Sequence, residues 1–393
     1  MDWPAHAYET CPWVPRGRQG SREDRILAEY TAAIPPYIAD LNYDPTGQTA
    51  RAHDSALIEV SRLEAGWGQS LVPVREFLLR SESVASSRIE RVDAGWRAFG
   101  KAVAGGRSTK DAQLQLAAVD ALGKLVASAD VGAIIMPAIL DAHRLLMEPE
   151  PYADEPGQLR SVQNWIGGSD YSPRGANFVP PQPDRVSDLM EDLLAFVERD
   201  DLPVMAQAAI AHAQFESIHP FIDGNGRIGR ALLSAVLRRR GLTRVVTVPV
   251  ASVMLADTAT YFARLGDYRG GDVDALVGYV ATGAVHASIA AQESARRLAE
   301  LPKRWREMAR PRAGSADEAL IDGLLGTPIF NAETAQTLTG TIDTSTYRAL
   351  GRLVEAGVLE MLADGARNRI WAARDVLSEL DVLTETIGRR VAG

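Results

Sequence analysis

The chain has 393 residues, of which 46% are hydrophobic and 24% charged, and its formal net charge is -9. This length and composition predict a globular protein of two or three lobes and exclude the disordered and fibrous classes. The acidic balance argues against a broad electrostatic grip on nucleic acid. Because Cys11 is the sole cysteine, no internal disulfide can form, and a reducing cytoplasm is the expected compartment.

No segment of the sequence indicates attachment to a membrane. Residues 1–20 mix tryptophan, proline, arginine and acidic residues and lack the apolar segment of a signal peptide. No apolar run is long enough to be expected to span a bilayer. We therefore expect no membrane partner.

The first predicted domain, residues 1–115, is a helical lobe. Apolar residues recur at helical spacing from about residue 51 to 145, for example at Val74, Phe77 and Leu78. A long connection rich in proline, glycine, asparagine and serine follows at residues 149–183. It contains short predicted strands at 162–168 and 177–179, and loops of this length are often functional.

A helix, a tight loop and a second helix are predicted next. Apolar residues spaced by three and four positions place one face of a helix after Pro203. That helix must end at His219, because Pro220 cannot continue it. A loop at 221–226 then leads into a second helix at 227–240.

The string HPFIDGNGRIGR, residues 219–230, contains the side chains that suggest chemistry. His219 can accept a proton from a hydroxyl near neutral pH, because a free imidazole titrates at about 6.5. Asp223 offers the hard oxygen ligand that a phosphate-bound Mg²⁺ requires. A titratable base and a candidate metal ligand therefore lie in one short loop.

The rest of this string predicts a polyphosphate site. Two glycines can expose backbone N–H groups, the second helix presents its N-terminus, and arginines add fixed cations. The predicted phosphate-binding residues are Gly224, Asn225, Gly226, Arg227 and Arg230. Together with His219 they suffice for an in-line displacement at phosphorus, where positioning and charge neutralisation provide most of the catalysis.

The string resembles the signature of the Fic family, His-Pro-Phe-x-Asp/Glu-Gly-Asn-Gly-Arg-x-x-Arg, and matches every defining position. The resemblance implies an all-α fold with a Fic helical core, here residues 116–300. It also implies transfer of AMP from ATP to a Ser, Thr or Tyr hydroxyl of a target protein, with His219 as base and Asp223 on Mg²⁺. Transfer of phosphate, UMP or phosphocholine is the alternative, and removal of AMP from a target ranks below transfer.

A second resemblance concerns the polar connection. Residues 163–168 and 177–183, which we call the flap, are similar to a short β-hairpin that aligns the target backbone by strand addition in the family. The first part of the flap consists of Gln163, Asn164, Trp165, Ile166, Gly167 and Gly168. Tyr261 resembles an aromatic residue that flanks the nucleotide in the family, and a place in the core is its equal alternative.

A built-in inhibitor is also implied. Ser86 and Glu90 lie four residues apart, on one face of a predicted helix. They resemble the family's inhibitory motif, Ser/Thr-x-x-x-Glu followed by Gly or Asn, which implies that Glu90 pairs with Arg230 where the γ-phosphate would lie. Arg91 departs from this motif, and we expect it to end the helix less easily and so weaken inhibition. Such a helix can act within one chain or across a homodimer.

The third predicted domain, residues 315–393, is a winged helix-turn-helix. Its predicted elements are helices at 319–325, 332–338 and 344–356 and a hairpin over 359–373 that turns at Asp364 and Gly365. DNA binding would use Arg348, Arg352, Arg367 and Arg369. Because the domain has seven arginines, no lysine and twelve acidic residues, we expect weak affinity for DNA and favour target recognition or dimerisation.

Three other interpretations of the loop are weaker. The glycines at 224, 226 and 229 also fit the dinucleotide pattern G-x-G-x-x-G, which requires a preceding strand instead of the predicted helix. Glu216 and His219 match half of a di-iron site, and the sequence contains no second half. A DNA-binding regulator that only senses ATP would have no need for a base such as His219.

Overall fold

The computed structural model describes residues 3–15, 17, 19–66, 71–150, 154–341, 344–365 and 368–393. Most of these residues are helical, as predicted. The helices are α1 (Arg22–Ile26), α2 (Gly47–Ala65), α3 (Leu71–Ile89), α4 (Trp96–Val103), α5 (Lys110–Ser128), α6 (Met136–Met147), α7 (Val186–Glu198), α8 (Val204–Ile218), α9 (Asn225–Arg239), α10 (Val250–Ala256), α11 (Thr258–Arg269), α12 (Val273–Ala309), α13 (Ala316–Gly323), α14 (Ala332–Thr339), α15 (Thr344–Glu355) and α16 (Arg374–Ala392). The strands are β1 (Ala7–Pro12), β2 (Glu29–Ile34), β3 (Ile329–Asn331), β4 (Glu360–Gly365) and β5 (Asn368–Ala372).

These elements form two compact units, each discontinuous in sequence. The first unit comprises residues 1–56, 121–242 and 259–282, and the second comprises residues 57–120, 243–258 and 283–393. The predicted domains at 1–115, 116–300 and 315–393 stay a prediction, because these units group residues by contacts and each draws on several separate segments.

The core of the first unit is built around α8. Every residue of this helix from Met205 to Ile218 is buried, and α7 and α9 pack against it. Close approach of α8 and α9 depends on Gly229, where a Cβ atom would lie 2.6 Å from Glu216 Oε1 and 3.1 Å from Phe215 Cδ1. The predicted helix–loop–helix is thus confirmed, with the second helix beginning two residues earlier than expected.

A β-hairpin, with α1 in the connection between its strands, precedes the other helices of the first unit. β1 and β2 pair antiparallel, from Ala7 opposite Ile34 to Pro12 opposite Glu29. The N–H of Ala33 in β2 donates to the carbonyl of Val179 at 2.9 Å, so the hairpin continues into the flap. Nothing in the periodicity of residues 1–34 predicts this arrangement.

In the second unit, α3 packs against α10 and α16, and α10 also packs against α16. The Glu82 carboxylate of α3 accepts a hydrogen bond from the N–H of Ala251 at 2.8 Å. Because Glu82 is buried and this N–H belongs to the first turn of α10, the bond satisfies a donor that has no partner within its own helix. The position of α3 is therefore fixed by a polar contact as well as by apolar packing.

The three helices and the hairpin predicted near the C-terminus occur in the predicted order. They are α13, α14, α15 and the pair β4 and β5, and β3 joins them to give a three-stranded sheet in the order β3-β5-β4. The predicted turn at Asp364 and Gly365 is wrong, because both residues belong to β4 and pair with Arg369 and Asn368 of β5. Arg367 lies outside the described residues. The guanidinium of Arg352 makes bonds of 2.8 and 2.6 Å to the Asp317 carboxylate, which neutralises one cation considered for DNA binding.

The helix α12 corrects one expectation about membranes. It runs for 37 residues with Pro302 inside it, and among the described helices it is the one long and apolar enough to cross a bilayer by length and composition. Of its most apolar window, 56% is buried inside the protein. A core helix of a globular protein meets the same criterion, so α12 is weak evidence for a membrane.

Candidate active site

His219 ends α8 in an uncommon backbone conformation. Its φ and ψ angles are 51° and 60°, in the left-handed region, and its N–H donates to the carbonyl of Phe215 at 2.8 Å. A residue with a Cβ atom pays roughly 1–2 kcal/mol for this conformation, and such strain is concentrated at functional sites. The conformation turns the chain sharply, so the imidazole stands at the junction of a helix and the predicted phosphate loop.

Arg160, which the sequence analysis missed, holds this junction in place. Its Nε donates to the carbonyl of His219 at 2.9 Å, and its guanidinium also bonds the carbonyls of Ile218 at 3.4 Å and Pro181 at 2.5 Å. The side chain is buried, and burial lowers its pKa to about 10, so it keeps its charge at neutral pH. The cation therefore joins the negative end of α8 to the flap.

The loop after His219 is held by Asn225. The Asn225 side chain is 2% exposed, its Oδ1 accepts from the N–H of Phe221 at 2.8 Å, and its Nδ2 donates to the Phe221 carbonyl at 2.8 Å. The bond to the carbonyl uses one of the two amide hydrogens. Asn225 therefore shapes the loop, and a contact with phosphate would have to use its other N–H.

Gly224 allows α9 to start where it does. It has φ of 77° and occupies the position before the first residue of α9. A Cβ atom there would lie 2.9 Å from Leu146 Cδ2 and 3.3 Å from Met147 Sδ, so steric space and conformation both require glycine. Gly226 and Arg227 then lie in the first turn of α9, where backbone N–H groups and the helix dipole favour an anion.

Asp223 is the accessible acid of the loop. Its side chain is 70% exposed, with Oδ2 4.0 Å from Arg227 Nη2, and its Oδ1 accepts from the N–H of Gly224 at 2.6 Å. The carboxylate thus lies on the solvent side of the loop, beside a buried guanidinium. This is the position from which it could reach a cation carried by a phosphate group.

The second predicted arginine, Arg230, is buried within hydrogen-bonding distance of Tyr261. Arg230 Nη1 lies 3.5 Å from the Tyr261 hydroxyl, and His212 Nε2 lies 3.0 Å from the same oxygen. Burial, and then the charge of Arg230, lower the pKa of His212 to about 3, so that imidazole is neutral. With 1% exposure, Tyr261 is a core residue that orients Arg230, which agrees with the core alternative.

The flap lies against the same loop. Ile166 and Phe178 form an antiparallel bridge, as the short predicted strands require, and the N–H of Ile166 donates to the Phe178 carbonyl at 2.9 Å. Asn164 Nδ2 donates to the carbonyl of Phe221 at 2.8 Å. Gly167 and Gly168 both have φ of 75°, so the turn after the bridge needs their freedom.

Residues of the N-terminal hairpin pack against the flap. The rings of Trp13 and Trp165 meet edge to face with centroids 5.5 Å apart, and the Tyr30 hydroxyl lies 3.4 Å from Gln163 Oε1. In sum, the predicted residues of the loop and the flap all lie in the first unit, where main-chain and side-chain bonds connect them.

The predicted inhibitory residues belong to the second unit. Ser86 is buried in α3 and Glu90 is exposed just after its end. The N–H of Val92 donates to the Ser87 carbonyl at 3.0 Å, and that of Arg91 to the Arg88 carbonyl at 3.0 Å, which is the Schellman pattern of a helix end. Arg91 has φ of 62°, so α3 ends here although the residue is not glycine.

The fold and the site together define an all-α protein in which an imidazole and a glycine-containing loop precede the N-terminus of a buried helix. Residues 136–237 match the sequence model of the Fic/DOC family. A solved Fic family protein from Desulfovibrio desulfuricans G20 has a TM-score of 0.55 at 24% identity, covering 84% of this chain and 98% of that one. Residues 136–237 of this chain are thus a Fic/DOC family segment, and the likeness to the solved protein shows a shared fold over most of the chain.

Curated relatives share shorter segments. The protein adenylyltransferase fic-1 of Caenorhabditis elegans is 32% identical over 147 residues, which are 36% of this chain and 26% of that protein. A probable protein adenylyltransferase of Aquifex aeolicus (strain VF5) is 43% identical over 72 residues, 18% of this chain and 22% of the relative. The chain thus spans about a quarter of the length of these curated relatives.

Proposed function

We propose that this chain is a protein adenylyltransferase that moves AMP from ATP to a Ser, Thr or Tyr hydroxyl of a target protein. The observation that carries the proposal is His219, an imidazole at a left-handed helix end that the short loop 220–224 connects to the N-terminus of α9. The names of the curated relatives support the same reaction. We also propose that the protein is cytoplasmic. The single cysteine fits a reducing compartment, and the cytoplasm contains the ATP that the reaction requires.

The reaction is a displacement at the α-phosphorus. His219 takes the proton of the target hydroxyl as its oxygen forms a bond to that phosphorus. The bond between the α-phosphorus and the bridging oxygen breaks, and pyrophosphate leaves. Charge on the phosphate oxygens is neutralised by Arg227, Arg230 and the first N–H groups of α9.

The residues present fit a Mg²⁺ ion that arrives with the nucleotide. Among the described residues, no group of three His, Cys, Asp or Glu side chains could hold a metal alone. Asp223 supplies one exposed carboxylate, and Mg²⁺ is commonly bound by one or two carboxylates, phosphate oxygens and waters. When bound, the ion would neutralise charge on the phosphates, and Asp223 would hold it.

The flap is proposed to bind the target main chain. Since Ile166 directs both backbone groups to residues 177 and 178, the preceding residue Trp165 directs its own groups to the opposite side, whereas Gly167 already belongs to the turn. Residue 179 is already bonded to β2, which leaves the edge at Trp165 for an incoming strand.

Inhibition by Glu90, acting on Arg230, remains part of the proposal. Its support is the resemblance of Ser86 and Glu90 to the inhibitory motif, together with the main-chain bonds that end α3 next to Glu90. The acidic C-terminal segment is proposed to recognise targets or a second copy of the chain. A gel shift at low salt with random DNA tests this, and strong retention of DNA would overturn it.

Label transfer from ATP tests the proposed reaction. ATP labelled at the α- or the γ-phosphate is incubated with wild type, Glu90→Gly, and Glu90→Gly combined with His219→Ala. We expect only α-label on protein, more with the single variant and none with the double. Transfer of γ-label would instead make the enzyme kinase-like, and no transfer despite ATP binding would leave another donor or an ATP sensor. Equal labelling by wild type and Glu90→Gly would reject the proposed inhibition and leave the proposed transfer of AMP standing.

A further inference from the structure

His143 is a buried residue that contacts the loop between α8 and α9, although no recognised motif includes it. It is in α6, is 1% exposed, and stacks on the ring of Phe221 with centroids 3.8 Å apart and planes 5° from parallel. Its Nε2 lies 3.1 Å from the carbonyl oxygen of Asp223, and its Nδ1 accepts the N–H of Gly157 at 2.9 Å. One ring therefore contacts two loop residues and a second loop.

These contacts determine where the proton of the ring lies. The N–H of Gly157 can only donate, so Nδ1 must carry a lone pair, and the proton must be on Nε2. The carbonyl of Asp223 can only accept, which requires the same tautomer. His143 is therefore a neutral imidazole that donates to the main chain of Asp223 and has both nitrogens in use.

The bond to this carbonyl fixes the peptide plane between Asp223 and Gly224. That plane also contains the N–H of Gly224, which donates to Asp223 Oδ1 at 2.6 Å, so its orientation helps to position the largely exposed carboxylate, whose Oδ2 lies 4.0 Å from Arg227 Nη2. The two bonds between Asn225 and Phe221 hold the rest of the loop independently. Loss of the histidine bond should therefore disturb Asp223 more than the phosphate-binding turn.

We infer that His143 is a positioning residue that holds the Asp223 carboxylate in the orientation needed to bind the metal–nucleotide complex. The inference rests on the proposed function, because it assumes that Asp223 contacts the cation. Groups that orient a metal ligand typically change metal affinity by 10- to 100-fold when they are removed. The expected effect is thus on metal affinity, with binding of the nucleotide itself retained.

Two substitutions separate the two bonds. Gln places an amide N–H where Nε2 stands, so His143→Gln keeps the donor to Asp223. Asn places its carbonyl oxygen where Nδ1 stands, so His143→Asn keeps the acceptor for Gly157 and loses the donor. Both remove the aromatic ring, and each therefore serves as the control for the other in packing.

The experiment measures binding of Mn²⁺ by electron paramagnetic resonance in the presence of α,β-methylene-ATP. All proteins carry Glu90→Gly, and transfer of α-label is measured over a series of Mg²⁺ concentrations. We expect His143→Asn to weaken Mn²⁺ binding about tenfold and to need more Mg²⁺, and His143→Gln to stay within about threefold. Equal metal affinity in both variants and in the parent would overturn the inference.

Two further outcomes are distinguishable. If the Glu90→Gly protein itself neither binds Mn²⁺ with the analogue nor transfers label, the proposed function fails and this inference fails with it. If the Asn variant does not fold, the nitrogen-15 spectrum of the parent decides, since a neutral ring with its proton on Nδ1 and a lone pair on Nε2 could not donate to the Asp223 carbonyl and would overturn the inference.

Discussion

The Nε of Arg160 donates to the carbonyl oxygen of His219 at 2.9 Å, so the proposed base is held through its backbone by a buried cation. The bond is made by the main chain of His219, so it stabilises the left-handed conformation without using the imidazole. Because the same guanidinium also donates to the Pro181 carbonyl, Arg160 bonds both to the proposed base and to the flap.

Replacement of Arg160 should therefore damage stability and catalysis together. Arg160→Met leaves several buried carbonyls without a donor, each costing about 1–3 kcal/mol, and we expect a loss of about 3–5 kcal/mol in denaturant unfolding. Arg160→Lys should recover only part of the stability, because the ammonium group of lysine donates hydrogen bonds but cannot reproduce the planar fork of the guanidinium. Arg144→Met, at an exposed ion pair 3.6 Å long, is the control and should change stability by less than about 0.5 kcal/mol. Equal effects of Arg160→Met and Arg144→Met would contradict this role.

Close packing of α8 on α9 can be tested at a glycine. Gly229→Ala places a methyl group 2.6 Å from Glu216 Oε1 and should destabilise the protein by about 1–3 kcal/mol. Gly266→Ala is the matched control, because it lies in α11 with no heavy atom within 4 Å of its added methyl group. It should stabilise by about 0.5–1 kcal/mol through helix propensity. Thermal unfolding measures both, and a neutral Gly229→Ala would show that the helices can separate freely.

The end of α3 predicts an effect at Arg91. Arg91→Gly removes the cost of φ 62° and should raise stability by about 0.5–1 kcal/mol, whereas Arg91→Ala keeps a Cβ atom and should not. If a firmer helix end strengthens inhibition, the glycine variant should also transfer less α-label to itself than wild type. Denaturant unfolding and the labelling assay give the two readings. A gain in stability with Ala equal to that with Gly would assign the effect to loss of the arginine side chain.

A pH dependence is expected from His6 in the N-terminal segment. Burial, and secondly the charge of Arg269, lower its pKa to about 3, and among the described residues neither ring nitrogen has a hydrogen-bond partner. The unfolded chain binds a proton below about pH 6.5 and the folded protein does not. The stability contributed by neutral His6 is therefore present above pH 6.5 and is lost as the pH falls towards 3.

His6→Phe should remove this dependence. Phenylalanine keeps the edge-to-face contact with Tyr268, whose centroid lies 5.8 Å away, and it binds no proton. From pH 7 to 5 the wild type should lose about 2 kcal/mol more than the variant, seen in unfolding and in hydrogen exchange of β1 and β2. Between pH 7.5 and 9 the difference between the two proteins should be constant. Parallel pH curves down to pH 5 would show that His6 is accessible to protons in the folded state.

The helix–loop–helix was predictable because its signals are local. The apolar spacing of α8, Pro220 and the glycines of the loop lie within a few turns of one another, and the motif required no knowledge of distant contacts. Arg160 and His143 could not be found in this way, since their bonds to the loop join residues 59 and 80 positions apart. A single buried Arg or His has no sequence pattern that distinguishes it from a surface residue.

Two other features depended on tertiary context. The left-handed conformation of His219 is stabilised by Arg160, so a sequence rule that assigns this region to glycine does not detect it. The hairpin of β1 and β2 has 16 residues between its strands, and β propensity is decided by packing against neighbours more than by the strand itself. Its partner is the flap, more than 130 residues later in the sequence.

The attachment of β2 to the flap has a consequence for work with shortened proteins. A fragment limited to the family-matched residues 136–237 would contain His219 and the whole flap, but it would lack β2, Trp13 and Tyr30. The main-chain edge at residue 179 would then lack its bond to β2, and exposed edges of this kind pair with strands of other chains. Poor solubility or lost target selectivity of that fragment would reflect an uncovered sheet edge, and its chemistry should be judged only with the hairpin attached.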